Sequence, residues 1–120
     1  KNDLFRSTGK AYLQLAEREP HLFKIFILHQ RRGISSLDGL YQSEANPKAA
    51  EHIAGALGIS VPKARQLHMH MLIYTLGIGT VLSVTTPGVP IDEIYRQQET
   101  AYQAFLHYTL NQKEGSPNET

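Results

Sequence analysis

The sequence has no cysteine and no tryptophan, its cations and anions nearly cancel, and no apolar run is long enough to cross a bilayer. Without Cys, a disulfide framework, a Cys-based zinc site, a thiolate nucleophile and c-type haem attachment are excluded, and a cytoplasmic location is the expected one. Twelve Lys plus Arg against eleven Asp plus Glu leave a net charge of +1, too weak a field to grip DNA by charge alone. The apolar stretch from Met71 to Val84, which gives way to Thr85-Thr86-Pro87 and follows a segment carrying Lys63, Arg65 and Gln66, falls short of the roughly 20 residues of a membrane helix, so no membrane partner is expected. No basic start, apolar stretch and small-residue cleavage site follows Lys1, so no secretory signal is expected in this stretch. The chain opens without Met and reads as a piece of a longer protein.

What is present is enough for one domain. A chain of 120 residues with 41% apolar and 19% charged residues is expected to expose roughly 6,500 of the ~20,000 Å² of its unfolded form, so it needs no covalent staples. Apolar residues at helical spacing run almost throughout, which predicts an all-α fold of five or six helices over residues 1–112 and a solvated tail over 113–120.

The first helix carries Leu4, Phe5, Ala11, Tyr12, Leu15 and Ala16 on one face, and Pro20 ends it or starts the next. The second reads Leu22, Phe23, Ile25, Phe26 and Ile27 and stops between Gln30 and Gly33, where Arg31 and Arg32 suit the negative helix end and Gly33 supplies a left-handed cap. Ile34 to Asn46 holds at most one short helix. Asn46-Pro47 is the expected start of a helix that Gly58 closes, and Ser60 then caps a long helix with Pro62 in its first turn. This long helix reaches about Val84, after which Thr86-Pro87-Gly88-Val89-Pro90 forms a connector. The last helix starts near Ile91-Asp92-Glu93 and runs to about Gln112.

Two of these helices are not ordinary surface helices. From Met69 to Val84 the long helix is apolar on every side, which requires cover all round. Its Gly77 and Gly79 each cost about 1 kcal/mol of helix propensity against Ala, and predict the close approach of another backbone. The last helix carries a seam of Ile94, Tyr95, Gln98, Ala101, Tyr102, Phe105 and Tyr108. Tyrosines along a seam suit an interface, because each ring buries area while its hydroxyl stays wet. Together the two helices hold more apolar surface than one small domain covers, so a homodimer is expected, with Gly77, Gly79, Val81, Ile94, Tyr95, Gln98, Tyr102, Phe105 and Tyr108 at its interface.

Tyr12-x-x-x-Ala16-x-x-x-Pro20-x-Leu22-Phe23-x-x-Phe26 resembles the fifth and sixth helices of TetR-family transcriptional regulators. Leu72 to Leu82, with its Gly77 and Gly79, is similar to their eighth helix, and Ile91-Asp92-Glu93-Ile94 to the opening of their ninth. The likeness in helix order covers roughly residues 4 to 112. It implies a regulatory domain whose last two helices pair with those of a second subunit in a four-helix bundle, with a ligand pocket among the earlier helices. DNA would be contacted only by a helix-turn-helix module outside this chain. Many members of the family place a His before the eighth-helix Gly, whereas Leu76 precedes Gly77 here, so no polar contact is carried to that position.

If such a pocket lies between the first, second and long helices, its walls are expected at Tyr12, Phe23, Phe26, Met71, Leu72 and Thr75, with His68 and Tyr74 as polar groups. That composition fits a small apolar or aromatic effector. No cofactor and no metal is expected. His68 and His70 point about 200° apart on a helix, Glu51-His52 lacks the second His of a zinc-protease helix, and Gly77-Ile78-Gly79 lies within a helix rather than after a strand. With no Gly-x-Ser-x-Gly elbow, the expectation is a protein that is not an enzyme.

Two alternatives stay open. Residues 49–69 have the form of a self-contained helix-turn-helix, with Gly58-Ile59-Ser60 as the turn and Ser60, Val61, Arg65 and Gln66 facing the major groove. A helical adaptor without ligand is the other.

Overall fold

The computed structural model describes residues 3–112, and side chains from Ser7 onward. The tail expected over 113–120, and the side chains of Leu4 and Phe5, lie outside these residues. Six helices follow one another: α1 (Asp3–Arg18), α2 (Pro20–Leu28), α3 (Leu37–Glu44), α4 (Ala49–Leu57), α5 (Val61–Ser83) and α6 (Ile91–Leu110), with no strand among the described residues. The fold is all-α, as the periodicity predicts.

Local chemistry explains the boundaries. Pro20 opens α2, where its missing N–H costs nothing. α2 ends at Leu28 because His29 is extended, and Arg31 takes up the free carbonyls: its Nη1 donates to Ile27 at 2.6 Å and to His29 at 3.3 Å. The cap expected at Gly33 is therefore corrected. Gly33 does have a positive φ of 77°, but it lies in the turn leading to α3, and a guanidinium closes the helix instead. Asn46 is corrected likewise. Its side-chain carbonyl accepts from the Lys48 amide at 2.8 Å, a local turn that competes with helix, so α4 starts only at Ala49. Gly58, at φ 68°, closes α4 in the left-handed conformation. Ser60 then caps α5 by accepting from the Lys63 amide, with Pro62 in the first turn.

Helix α5, about 35 Å long, is the axis of the molecule and packs against α1, α2, α4 and α6. Its N-terminal half forms one core with α4 and α6, through Ala64, Leu67 and Met71 against Ile53, Ala54 and Tyr102. Its C-terminal half forms a second core with α1 and α2, through Leu82 against Ala16, Phe23 and Ile27. Cover of α5 within this chain is incomplete. Ile73, Gly77, Val81 and Val84 follow helical spacing along one stripe and stay exposed, Val81 by 61% and Val84 by 64%.

The two glycines of α5 serve different ends. A Cβ on Gly79 would stand 2.5 Å from Cζ of Phe23, a ring with no exposed surface. The close neighbour of Gly79 is thus an aromatic ring of α2 in the same chain, which corrects its expected place at an interface between subunits. A Cβ on Gly77 would meet nothing.

A methyl group at Gly79 must push a ring that sits in a filled core, and overpacking of this kind costs about 1–3 kcal/mol. Gly79→Ala is expected to lower the urea midpoint accordingly, and adding Phe23→Leu is expected to recover part of the loss. A Gly79→Ala chain as stable as the parent would contradict the packing of Phe23 on α5.

Candidate functional site

Between the two cores, α5 presents Met71, Leu72 and Thr75 to a space that α1, α4 and α6 do not fill. Small residues keep it open: Gly9 on α1, and Ala49 and Ala56 on α4. The cavity measures about 570 Å³, within the range of sites that take small organic molecules. Ile53, Met71, Leu72 and Tyr102 give it apolar walls, and Tyr12 and Tyr95 add ring surface from α1 and α6.

Its polar content is concentrated at one place. The amide of Gln98, 7% exposed, donates to the hydroxyl of Thr75, 3% exposed, across a long 3.4 Å. Among the described residues the Gln98 carbonyl oxygen accepts no hydrogen bond, and Thr75 makes none of the bonds back to a backbone carbonyl seen at Thr80 and Thr85. Gly9 makes room for this pair, because a Cβ there would lie 2.7 Å from Nε2 of Gln98. Beside it, the Tyr95 hydroxyl is cut off from solvent and has no partner among the described residues, and Lys10 holds its ammonium 5.1 Å above the Tyr95 ring.

The mouth is bounded by the end of α3 and the turn after it, Glu44, Ala45 and Asn46. Polar contacts hold α3 there. Arg31 grips Glu44 with two donors, at 2.7 and 3.4 Å, which lowers the Glu44 carboxyl below the ordinary carboxylate range. Arg65 of α5 bonds Asp38 and lies 4.8 Å from the centre of the Tyr41 ring. Tyr41, itself buried, brings its hydroxyl to 2.7 Å from Nδ1 of His68. Burial raises the Tyr41 phenol above its usual range and lowers the His68 imidazole below its own. In the neutral Nε2–H form, His68 accepts the Tyr41 proton at Nδ1.

Of the residues predicted to line a pocket, Tyr12, His68, Met71, Leu72 and Thr75 meet at this cavity. Three do not. Phe23 fills the second core beneath Gly79, Phe26 stacks on Tyr12 at 6.0 Å over a shallower hollow between α1 and α2, and Tyr74 sits on another face of α5, where burial raises its phenol. The predicted interface seam is divided as well. Tyr102 and Gln98 are buried inside this chain and Tyr95 walls the cavity, so these three are corrected from interface to interior. Phe105 is half-buried, stacked on His70 at 5.0 Å, and Ile94 is half-buried, whereas Gly77, Val81 and Tyr108 face outward. Helical period identifies the buried face of α6, and α5 of the same chain covers much of it. Gly9 and Gln98 were missed as a pocket pair. The available signal was a glycine inside an otherwise regular helix, a position that costs stability unless something packs close.

Two of the four residues proposed to read DNA are otherwise engaged: Ser60 caps α5 and Arg65 holds α3. Among the described residues no three His, Cys, Asp or Glu side chains gather as a metal site, and no helix is long and apolar enough to cross a membrane. No family model matches the sequence, and no curated protein or solved structure matches it significantly.

The lowered imidazole of His68 has a defined consequence for stability. The unfolded chain takes up this proton near the ordinary pKa of 6.5 while the folded chain resists it, so folding stability falls as pH drops below about 6.5. Glu44 acts lower, its contribution being present above the ordinary carboxyl value of 4.5 and lost as pH falls through its depressed value. Urea titrations from pH 7.5 to 5.5 should therefore show a slope that His68→Gln flattens and Glu44→Gln leaves in place. Equal slopes in the parent and His68→Gln chains would show that His68 is not buried neutral.

Proposed function

We propose that this chain is the effector-sensing and dimerisation domain of a TetR-like transcriptional regulator, acting on DNA through a helix-turn-helix module outside it. The observation that carries the reading is the cavity: about 570 Å³ of mostly apolar space at the junction of α1, α4, α5 and α6. The resemblance in helix order is consistent with it, and so are the exposed apolar residues Ile73 and Val81 on α5 and Val84 just after it. Two copies pairing along this stripe would bury it in a four-helix bundle at the usual 8–10 Å between axes, and Gly77, with open space beside it, would let the backbones approach.

Helix α5 links the two roles. Met71, Leu72 and Thr75 face the cavity while Ile73, Gly77 and Val81 lie on the exposed stripe of the same rod. A ligand that fits better when α5 sits at one position against α1 and α6 favours that position, by no more than its difference in affinity for the two arrangements. In the dimer, such a shift changes the separation of the attached DNA-reading modules, which must match half-sites about one helical turn or its multiples apart. The self-contained DNA-binding alternative is disfavoured by the engagement of Arg65 with Asp38 and Tyr41, and the adaptor alternative by the open cavity.

A thermal-shift screen of neutral naphthalenes and biphenyls tests the sensor reading. A compound present at 100 times its Kd adds about 2.7 kcal/mol, a rise of several degrees in Tm for a domain of this size. Leu72→Trp, which fills the cavity, should abolish the rise for the same compound. A screen in which no compound raises Tm favours the adaptor.

A further inference from the structure

The sensor reading leaves open what the cavity recognises, and on that reading the Gln98–Thr75 pair gives an answer. We infer that the ligand is an uncharged aromatic compound bearing a carboxamide-type edge, a planar group with a donor and an acceptor side by side, which docks on the Gln98 amide.

Four observations lead there. The pair is buried in the cavity wall and under-used: Gln98 spends one N–H on Thr75 at 3.4 Å and its carbonyl accepts nothing among the described residues. Since Nε2 carries two hydrogens, Gln98 retains an acceptor and a donor in one plane, the complement of an amide or lactam edge. Thr75 accepts from Gln98 and keeps its own hydroxyl proton to donate. A buried pair with unused capacity costs free energy until a ligand satisfies it.

Gly9 fixes where the amide lies. A methyl group there would stand 2.7 Å from Nε2 of Gln98, so the glycine permits the amide to occupy this place at the cost of helix propensity. Aromatic surface surrounds the polar end, from Tyr12 on α1 and from Tyr95 and Tyr102 on α6, and offset ring contacts favour a flat ligand.

Charge selects against ions. Around the cavity Glu44 is paired with Arg31, Glu99 bonds Gln103 at 2.8 Å, and the ammonium of Lys10 lies above the Tyr95 ring. The buried Gln98–Thr75 pair offers a carboxylate only neutral amide and hydroxyl groups, a poorer exchange for its water than for that of an uncharged amide.

Three probes of one shape separate the possibilities: 2-naphthamide, 2-naphthoate and 2-methylnaphthalene, titrated into the 120-residue chain. The absence of tryptophan lets naphthyl emission report binding directly. The amide is expected to bind about tenfold or more tighter than the hydrocarbon, the effect of two net hydrogen bonds, and at least tenfold tighter than the carboxylate. Gln98→Leu should reduce the amide to the affinity of the hydrocarbon without weakening the hydrocarbon. Gly9→Ala should do the same with Gln98 still present, because the methyl displaces the end of a flexible side chain while improving the helix, so loss of fold cannot account for the result. A naphthoate or hydrocarbon that binds as tightly as the amide, or an amide preference that survives both substitutions, overturns the inference and leaves the sensor reading standing. Failure of all three probes to bind overturns the inference and counts against the sensor reading as well.

Discussion

Helix α5 carries apolar side chains around its whole circumference, and the chain supplies α1, α2, α4 and α6 to cover them. Every other feature of the molecule follows from how that cover is shared. One end of the rod is closed by α4 and α6, the other by α1 and α2, and the Phe23 ring can reach the second end only because Gly79 has no side chain. Four helices against one long rod leave a stripe without cover, from Ile73 through Gly77 to Val84. Burial of that stripe by a second copy is worth roughly 25 cal/mol for each Å² of apolar surface removed from water.

The cavity arises where the two cores meet. Neither set of neighbours fills the middle of α5, and the residues facing inward there are mixed, Met71 and Leu72 beside Thr75. An apolar gap of this size would ordinarily collapse, since unfilled core volume destabilises by about 24 cal/mol per Å³. Here it is held open by small residues on α1 and α4 and by a strap, α3, fastened through polar contacts rather than by an apolar face. Arg31 with Glu44, Arg65 with Asp38, and Tyr41 with His68 tie the strap to the ends of its neighbours. Such contacts release more readily than a packed core does. Placing Met71 and Leu72 on one side of a rod and Val81 on another also gives a direct mechanical route from the cavity to the exposed stripe.

Much of the fold was legible in the sequence, since its punctuation is chemically explicit. Pro20, Gly58, Ser60 and Pro62 mark three helix ends through missing donors, a left-handed turn and a cap, and each stands where that chemistry places it. The errors at Gly33 and Asn46 have a common cause: a side chain made a local bond, Arg31 to the last carbonyls of α2 and Asn46 to the Lys48 amide, and moved the boundary. The site was half legible. Helical period put Tyr12, His68, Met71, Leu72 and Thr75 on inward faces, and they line the cavity together. Period identifies a buried face without naming its neighbour, so Tyr95, Gln98 and Tyr102 were assigned to a partner when α5 of their own chain covers them. The approach of Gly9 to Gln98 joins positions nearly ninety apart in the chain, and no local pattern carries a contact of that kind.

The account stands on the uncovered stripe of α5 belonging between two copies. Sedimentation equilibrium of the chain at micromolar concentration tests this directly. The expected mass is twice the 13.5 kDa of one chain, falling to one chain when Val81→Glu places a charge in the stripe. A single 13.5 kDa species in the parent chain at these concentrations, with the stripe left in water, would contradict it.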